Sequence, residues 1–525
     1  MKFKGSLLSV VAALLLAVCA VLPAVAQEPK AGGDEYPAGE LPLGQPGLQE
    51  TRSITEVAPG VTYTRIDSGE PSATDFYTVD VAFRTDRSAA RDVAKQLKAD
   101  GYEPRIERIS ERAPDDPQSG PLGYLMRTGS FSTQAEADAL RTELAAKGYT
   151  GLRTVYTGED GNQTTGPWVV HVLETDPDVY DGTIIPELAT EIVPGRETLT
   201  SISDRTDSLA AINGGYFVIG SNDGTPGDLA GISVLDGALV SEAVDGHTSL
   251  ILPPGSGEGA DIAALSDTIT ATSSDGARRE VDGLNRTPGL IRGCGGSGGD
   301  QPTEEPKHDF TCTDESELIL FTPIFGDHTE PGDGVEVVLN SSGRVVKLSE
   351  RRGSQIPRNG SVLSGTGEAA DWLRAHTQPG TTIKVSTNIT ADGELLAAGS
   401  SVVNGGPRLL SNGSLDITAY AEGFVWPENP EFYYRFGVRR NPRTLAGITP
   451  EGNLLLVAVD GRRPGYSVGA SFEESAAIMA ALGAEEAVNL DGGGSTTMTI
   501  GDELVNRPSD AAGERPIGDA VALFR

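Results

Sequence analysis

The sequence predicts an α+β protein in two parts: a large mostly-β domain with few helices, and a small ferredoxin-like βαββαβ domain. Three observations predict it. Gly 66 and Pro 33 together supply 99 of 525 residues, well above the roughly 12% of an average chain, so turns are frequent. A hydrophobic content of 38% is too high for a disordered chain. A strand–helix–strand order also recurs within about 80 residues, the mark of an internal repeat. The length of 525 residues accommodates two to four domains at roughly 100–200 residues each.

The amino terminus predicts export. Lys2 and Lys4 form a basic start, Leu7 to Leu22 is apolar, and Ala24-Val25-Ala26 supplies the small residues of a cleavage site. Residues 1–26 therefore read as a signal peptide, and the mature chain as secreted. Cys19 follows Val18, where a lipoprotein signal needs a small residue. No later apolar run is long enough to anchor the mature chain in a membrane. Residues 27–55 are rich in Gly, Pro and Glu without periodicity and read as a flexible linker. Cys294 and Cys312 lie 18 positions apart in a Gly-rich stretch of an exported chain, which predicts a disulfide; the competing reading, a metal pair, lacks CxxC spacing. The balance of 75 acidic against 41 basic residues gives a net charge of −34. Such a chain repels phosphate backbones, which excludes nucleic acid as a partner.

The repeat accounts for residues 74–157. Phe76 to Phe83 alternates like a half-buried strand, Ala89 to Leu97 has helical spacing, and Gly101-Tyr102 stops it before a strand at Pro104 to Ile109. Tyr124 to Phe131, Ala135 to Ala146, Gly148-Tyr149 and Leu152 to Tyr156 repeat that order. The pattern implies a small sheet with both helices on one face. Tyr124-Leu125-Met126-Arg127-Thr128-Gly129-Ser130-Phe131, followed by the Ala/Glu helix and Lys147-Gly148-Tyr149, resembles the second half of a SPOR domain. That resemblance implies binding of peptidoglycan glycan strands through the exposed sheet face.

From residue 165 to 525 the sequence reads strand after strand, broken by Gly, Asn, Asp and Pro. One helix is marked by Ser471 as its cap and Glu474 three residues later, with Gly483 as the stop. A strand-like stretch at 58–66 precedes the repeat. It fits as the first strand of the large domain, with the small domain inserted after it.

Four Gly-rich segments end or follow apolar strands: Asn213-Gly214-Gly215-Tyr216-Phe217, Asn404-Gly405-Gly406-Pro407-Arg408, Arg443-Thr444-Leu445-Ala446-Gly447 leading to Asp460-Gly461-Arg462, and Asn489-Leu490-Asp491-Gly492-Gly493-Gly494-Ser495-Thr496-Thr497-Met498. Each alone reads as a turn. Asp491 with three glycines is less easily dismissed, because such a run costs conformational entropy and adds no side chain to packing. Consecutive glycines let backbone N–H groups approach a ligand, and such nests favour anions. Together, in this order, the segments resemble the phosphodiester glycosidase family, whose members include the lysosomal uncovering enzyme.

The resemblance implies cleavage of the bond between a sugar anomeric carbon and a phosphodiester oxygen. The released phosphate monoester needs little protonation, while the oxocarbenium-like transition state calls for a carboxylate. Asp491 is the first candidate, as nucleophile or general base, and Asp460 the second. Arg408 and Arg443 are the expected phosphate clamps, with Arg515 a third. Asn213 and Asn489 are expected to bond sugar hydroxyls, with Thr444 beside the clamp. Gly214, Gly215 and Gly406 would allow close approach, and Gly492, Gly493, Gly494 and Ser495 would offer backbone donors.

The expected partners are peptidoglycan strands and a sugar-phosphate glycopolymer substrate of wall or capsule. No cofactor is required by this chemistry. The five histidines show no HxH or HExxH spacing, so a zinc hydrolase is not expected; an oxygen-ligated structural Ca²⁺ in the Asp327–Asp333 loop stays open. The alternative is a non-catalytic envelope glycan-binding protein that keeps this fold.

Overall fold

Residues 39–294 and 306–525 are described, in a computed structural model of the chain. The predicted signal peptide, Cys19 and the first part of the predicted linker lie outside the described residues.

The described chain enters as an antiparallel hairpin of β1 (Glu50–Ala58) and β2 (Val61–Ser68), in register from Glu50 opposite Ser68 to Glu56 opposite Thr62, with a one-residue shift before Ala58 meets Val61. The small domain follows: β3 (Tyr77–Arg84), α1 (Arg87–Ala99), β4 (Pro104–Ile109), β5 (Gly123–Phe131), α2 (Gln134–Ala146) and β6 (Arg153–Tyr156). Its sheet has the order β4-β5-β3-β6, all antiparallel, which is the ferredoxin-like arrangement. Asp86 caps α1 and a Thr133–Glu136 capping box starts α2. Val79 and Val81 of β3 pack under Leu97 and Leu144 of the two helices, so both helices cover one face.

The chain then returns as β7 (Trp168–Thr175), paired along its whole length with β2. The small domain is thus an insertion between two neighbouring strands of one eight-stranded sheet. That sheet continues through Leu454–Val459, Arg443–Ile448, Glu486–Asn489 and Arg408–Ser411 to Ser414–Leu415. A five-stranded sheet with Ala210–Asn213 at its centre, between Met498–Ile500 and Asp519–Phe524, packs against it through Leu173, Ile212, Leu456 and Val521. Burying each such side chain contributes about 1.5–3 kcal/mol. The helix Phe472–Ala481 starts at the Ser471–Glu474 capping box.

Two expectations need correction. The stretch expected as linker up to residue 55 is ordered where it is described. Leu41 and Leu43 are buried in one apolar cluster with Ile66 and Trp168, and β1 begins at Glu50. Its Gly/Pro/Glu composition masks two leucines that dock in the core and an edge strand whose exposed residues show no alternation.

Nor is the sheet face opposite the helices exposed. Leu125 and Phe83 join the core of the large domain, and the Phe83 ring lies 5.9 Å from that of Tyr434. Arg127, 1% exposed, donates to Asp80 at 2.7 Å, to Asp160 at 2.8 Å and to the Tyr434 hydroxyl at 3.1 Å. Arg435 reaches the same Asp80 at 3.3 Å.

Removing one member of a buried ion network strands its partners in a low-dielectric interior. Arg127→Ala, which leaves Asp80 and Asp160 without their shared cation, is therefore expected to cost about 3–5 kcal/mol of stability. An unchanged urea midpoint would mean that the inserted domain docks without this network.

Candidate active site

The strand ends at Asn213, Asn489 and Arg443 bring three of the Gly-rich segments together. Asn213 joins them. Its side-chain N–H donates to the Asp491 carbonyl at 2.7 Å, while its amide oxygen accepts from the Thr444 hydroxyl at 2.7 Å and the Thr497 N–H at 3.1 Å. Asn489 donates to the Tyr216 hydroxyl at 2.7 Å and to the Gly406 carbonyl at 3.1 Å, and Tyr216 donates to that same carbonyl at 2.7 Å. The asparagines are braces between strands, and Thr444 belongs to the same bracing; none of them lines the cavity.

Gly214 and Gly215 also serve packing. A Cβ on Gly214 would lie 2.5 Å from the Asp519 carboxylate, and one on Gly215 would lie 2.5 Å from the Asn404 amide. Gly406 is closed in by Glu422 in the same way, at 2.6 Å.

Above this scaffold lies a cavity of about 200 Å³. Asp491, Gly492, Gly493, Gly494, Arg443 and Arg515 line it, as expected from the sequence. Gly493 and Gly494 have a definite reason to lack side chains. A Cβ on Gly494 would lie 2.1 Å from the Arg515 guanidinium, and Gly493, at φ +64°, faces that of Arg462. Two guanidinium groups thus rest against bare backbone beside Asp491.

Ser495 is buried beneath the loop. It favours the ionised form of Asp491, as do Arg515 and the Gly492 N–H, but removal from bulk water outweighs them and raises the Asp491 pKa to about 7. Asp519, which accepts from the Gly215 N–H at 2.9 Å, is likewise pushed to about 7 by burial and then by the Asp491 charge.

Two predicted residues lie elsewhere. Arg408 does not line the cavity; it donates to Glu486 at 3.0 Å and to the Ile262 carbonyl at 3.2 Å, so it is committed to protein partners. Asp460 is fully buried and saturated: it accepts from Asn506 at 3.0 Å, Tyr466 at 3.0 Å and the Arg507 N–H at 3.0 Å, with His171 at 3.2 Å. Asn506 in turn holds Thr496 and Met498. Asp460 therefore fixes the segment after the glycine loop and has no lone pair free for a substrate.

The cavity adds residues that the sequence did not single out. Arg292, just before Cys294, and His308 and Asp309, just before Cys312, line it beside the Cys294–Cys312 disulfide, whose predicted pairing is present; the cysteines were the one signal for them. His308 packs on Phe424 at 4.1 Å and on Tyr216 at 4.2 Å, and burial holds its pKa well below the usual value, so the ring is neutral. Arg435, Phe436 and Asn441 come from an irregular helical turn and its exit, with no motif to mark them. Arg462 sits in the Asp460-Gly461-Arg462 segment at φ +54°, a conformation rare for arginine that well-determined sites hold at a cost.

Among the described residues, no carboxylate lies within ion-pair distance of Arg443 or Arg462. Arg443 is 2% exposed, and its nitrogens donate to the carbonyls of Ala470 and Phe436. Burial, with the Arg462 charge, lowers its pKa to about 10. Its guanidinium is thus buried against backbone carbonyls with no carboxylate counter-ion among the described residues. Among the described residues, no group of three or more His, Cys, Asp or Glu side chains is placed to hold a metal ion.

The two arginines read as clamps in the sequence are thereby separated. Arg443→Ala is expected to weaken binding of glycerol phosphate about tenfold to a hundredfold, the worth of one charge-assisted hydrogen bond. Arg408→Ala should leave it within about twofold. Calorimetric titration of both variants checks this, and the reverse ranking would dismiss the cavity as the phosphate site.

The phosphodiester glycosidase family profile matches residues 333–524, and the SPOR domain profile matches residues 73–152. A crystal structure of a Burkholderia pseudomallei protein, whose name describes it as exported, is 36% identical with a TM-score of 0.85, covering 93% of this chain and 99% of its own. A hypothetical protein from Synechocystis shares the fold at 18% identity and a TM-score of 0.53, over 91% of this chain and 80% of its own. The zebrafish N-acetylglucosamine-1-phosphodiester alpha-N-acetylglucosaminidase catalytic domain, at 14% identity and a TM-score of 0.33 over 84% of this chain and 93% of its own, is too distant to carry an argument. No curated protein matches. The chain belongs to the phosphodiester glycosidase family, in a form with a SPOR domain set between two strands of its central sheet.

Proposed function

We propose that the protein is an exported hydrolase that cleaves the glycosidic C–O bond of sugar-1-phosphodiesters in envelope glycopolymers, with its SPOR domain directing it to peptidoglycan. The observation that carries the reading is the pairing, in one cavity, of a carboxylate of pKa about 7 with two guanidinium groups that lack a carboxylate partner.

Ionised Asp491 takes a proton from water, whose oxygen attacks the anomeric carbon. The carbon–oxygen bond breaks, and its electron pair leaves on the phosphate. Arg443 and Arg462 neutralise the charge that grows there, and preorganised cations in a water-poor site act most strongly on such a change. Phosphate is a good leaving group, so one carboxylate suffices, which fits an Asp460 committed to scaffold bonds. Among the described residues, no helix is long and apolar enough to cross a membrane.

The test is product analysis on a nucleotide sugar with wild type and Asp491→Asn in parallel. Free sugar from wild type alone is the expected result. Sugar phosphate would mean attack at phosphorus, and no product from several donors would favour the binding-protein reading.

The pH profile supplies a second check. Asp491 must be ionised to act, and its pKa lies at about 7. kcat/KM should therefore rise with pH, about tenfold between pH 6 and pH 8, and then level. Asp309→Asn, which removes a negative charge that raises the Asp491 pKa, should move this limb to lower pH.

A further inference from the structure

The catalytic cavity, at about 200 Å³, is smaller than the roughly 300–1,000 Å³ of sites that enclose a whole ligand. It can take one end of a substrate. The remainder has a path. A cleft of about 870 Å³ runs between the SPOR domain and the glycosidase domain and shares five lining residues with the cavity: Asp309, Arg435, Phe436, Asn441 and Arg462. The SPOR wall is made by α2 and β6, and the facing wall by residues 429–441. The two spaces are therefore continuous.

The lining of the cleft is specific in two respects. Its four carboxylates are already partnered: Asp138 with Arg141, Glu159 with Arg439, Asp309 with Arg292 and Glu431 with Arg435. Arg153 of β6 and Arg462 at the cavity mouth are both exposed, and among the described residues neither has a carboxylate within ion-pair distance. Partial burial lowers the Arg153 pKa, and the neighbouring Arg435 charge lowers it further. What faces the space uncompensated is cationic, in a chain of net charge −34.

The second respect is aromatic. Phe432 lies parallel to Phe436, with centroids 5.6 Å apart and planes at 16°, and Phe436 meets His308 at 5.1 Å. These half-buried rings lead from the cleft into the cavity. Aromatic edges beside guanidiniums without a carboxylate partner match a chain that carries both sugar rings and phosphates.

We infer that this cleft binds an extended phosphodiester-linked glycan, so that the SPOR domain forms one wall of the enzyme's substrate-binding groove. The inference rests on the glycosidase reading for the class of substrate and extends it to a polymer several repeats long. It also gives the SPOR domain a surface to use, since its sheet face is occupied.

Binding of synthetic N-acetylglucosamine-1-phosphate oligomers of one and six repeats is measured by calorimetry on the full chain carrying Asp491→Asn, which prevents turnover. The hexamer is expected to bind at least about tenfold more tightly than the monomer. Arg153→Ala should reduce that gain to about threefold or less, and Arg153→Lys should restore most of it. Equal affinities, no binding of the hexamer, or a gain that survives Arg153→Ala would overturn the inference. So would equally tight binding of an uncharged N-acetylglucosamine hexamer. Free sugar released from the monomer by wild type is read separately. Turnover without a length gain would remove the groove and leave the glycosidase, and a length gain without turnover would do the reverse.

Discussion

The site hangs on the side-chain amide of Asn213. It grips the Asp491 carbonyl, the Thr444 hydroxyl and the Thr497 N–H at once, and so ties together chain segments 231 to 284 residues apart. A carboxylate held away from bulk water relaxes toward solvent or protonates unless its backbone is fixed. With the backbone of Asp491 fixed from below, its side chain stays at the cavity floor with a pKa displaced to about 7. The same fixation lets Gly493 and Gly494 present bare backbone to two guanidinium groups. The cavity lining is thus separated from the bracing, although both are drawn from the same short segments.

A second constraint joins the domains. Arg127 belongs to the inserted domain, while Asp160 and Tyr434 belong to its surroundings. Tyr434 begins the irregular turn that carries Arg435 and Phe436 into the cavity wall. The insertion is therefore part of what shapes the cavity rather than a tethered appendage. Burying charge in this way is tolerable because each carboxylate meets a guanidinium with well-formed hydrogen bonds.

Much of this was legible in the chain itself. Periodicity of two and of 3.6 marked the inserted repeat, and the Ser471–Glu474 pair marked the start of the large domain's helix Phe472–Ala481, because these features are local and governed by backbone geometry. The glycine run after Asp491 was legible because glycine without a packing role implies a close approach. The two misplaced charged residues share one cause. Arg408 and Asp460 sit in motif segments and carry the right chemistry, but Glu486 binds the one, and Asn506, Tyr466 and His171 bind the other. Side-chain partners so far apart in sequence leave no trace in local pattern.

By itself, then, the sequence determined the elements of the repeat, the capped helix of the large domain and the segments that gather at the site, since each follows from short-range periodicity, capping and turn chemistry. Tertiary structure alone decided which residues face the cavity and which brace it. It also decided that Arg292, His308, Arg435 and Arg462 belong to the lining, and that the SPOR sheet face is covered while its α2–β6 edge borders a cleft. Those outcomes depend on which long-range contacts satisfy each buried polar group, and only the folded chain settles that competition.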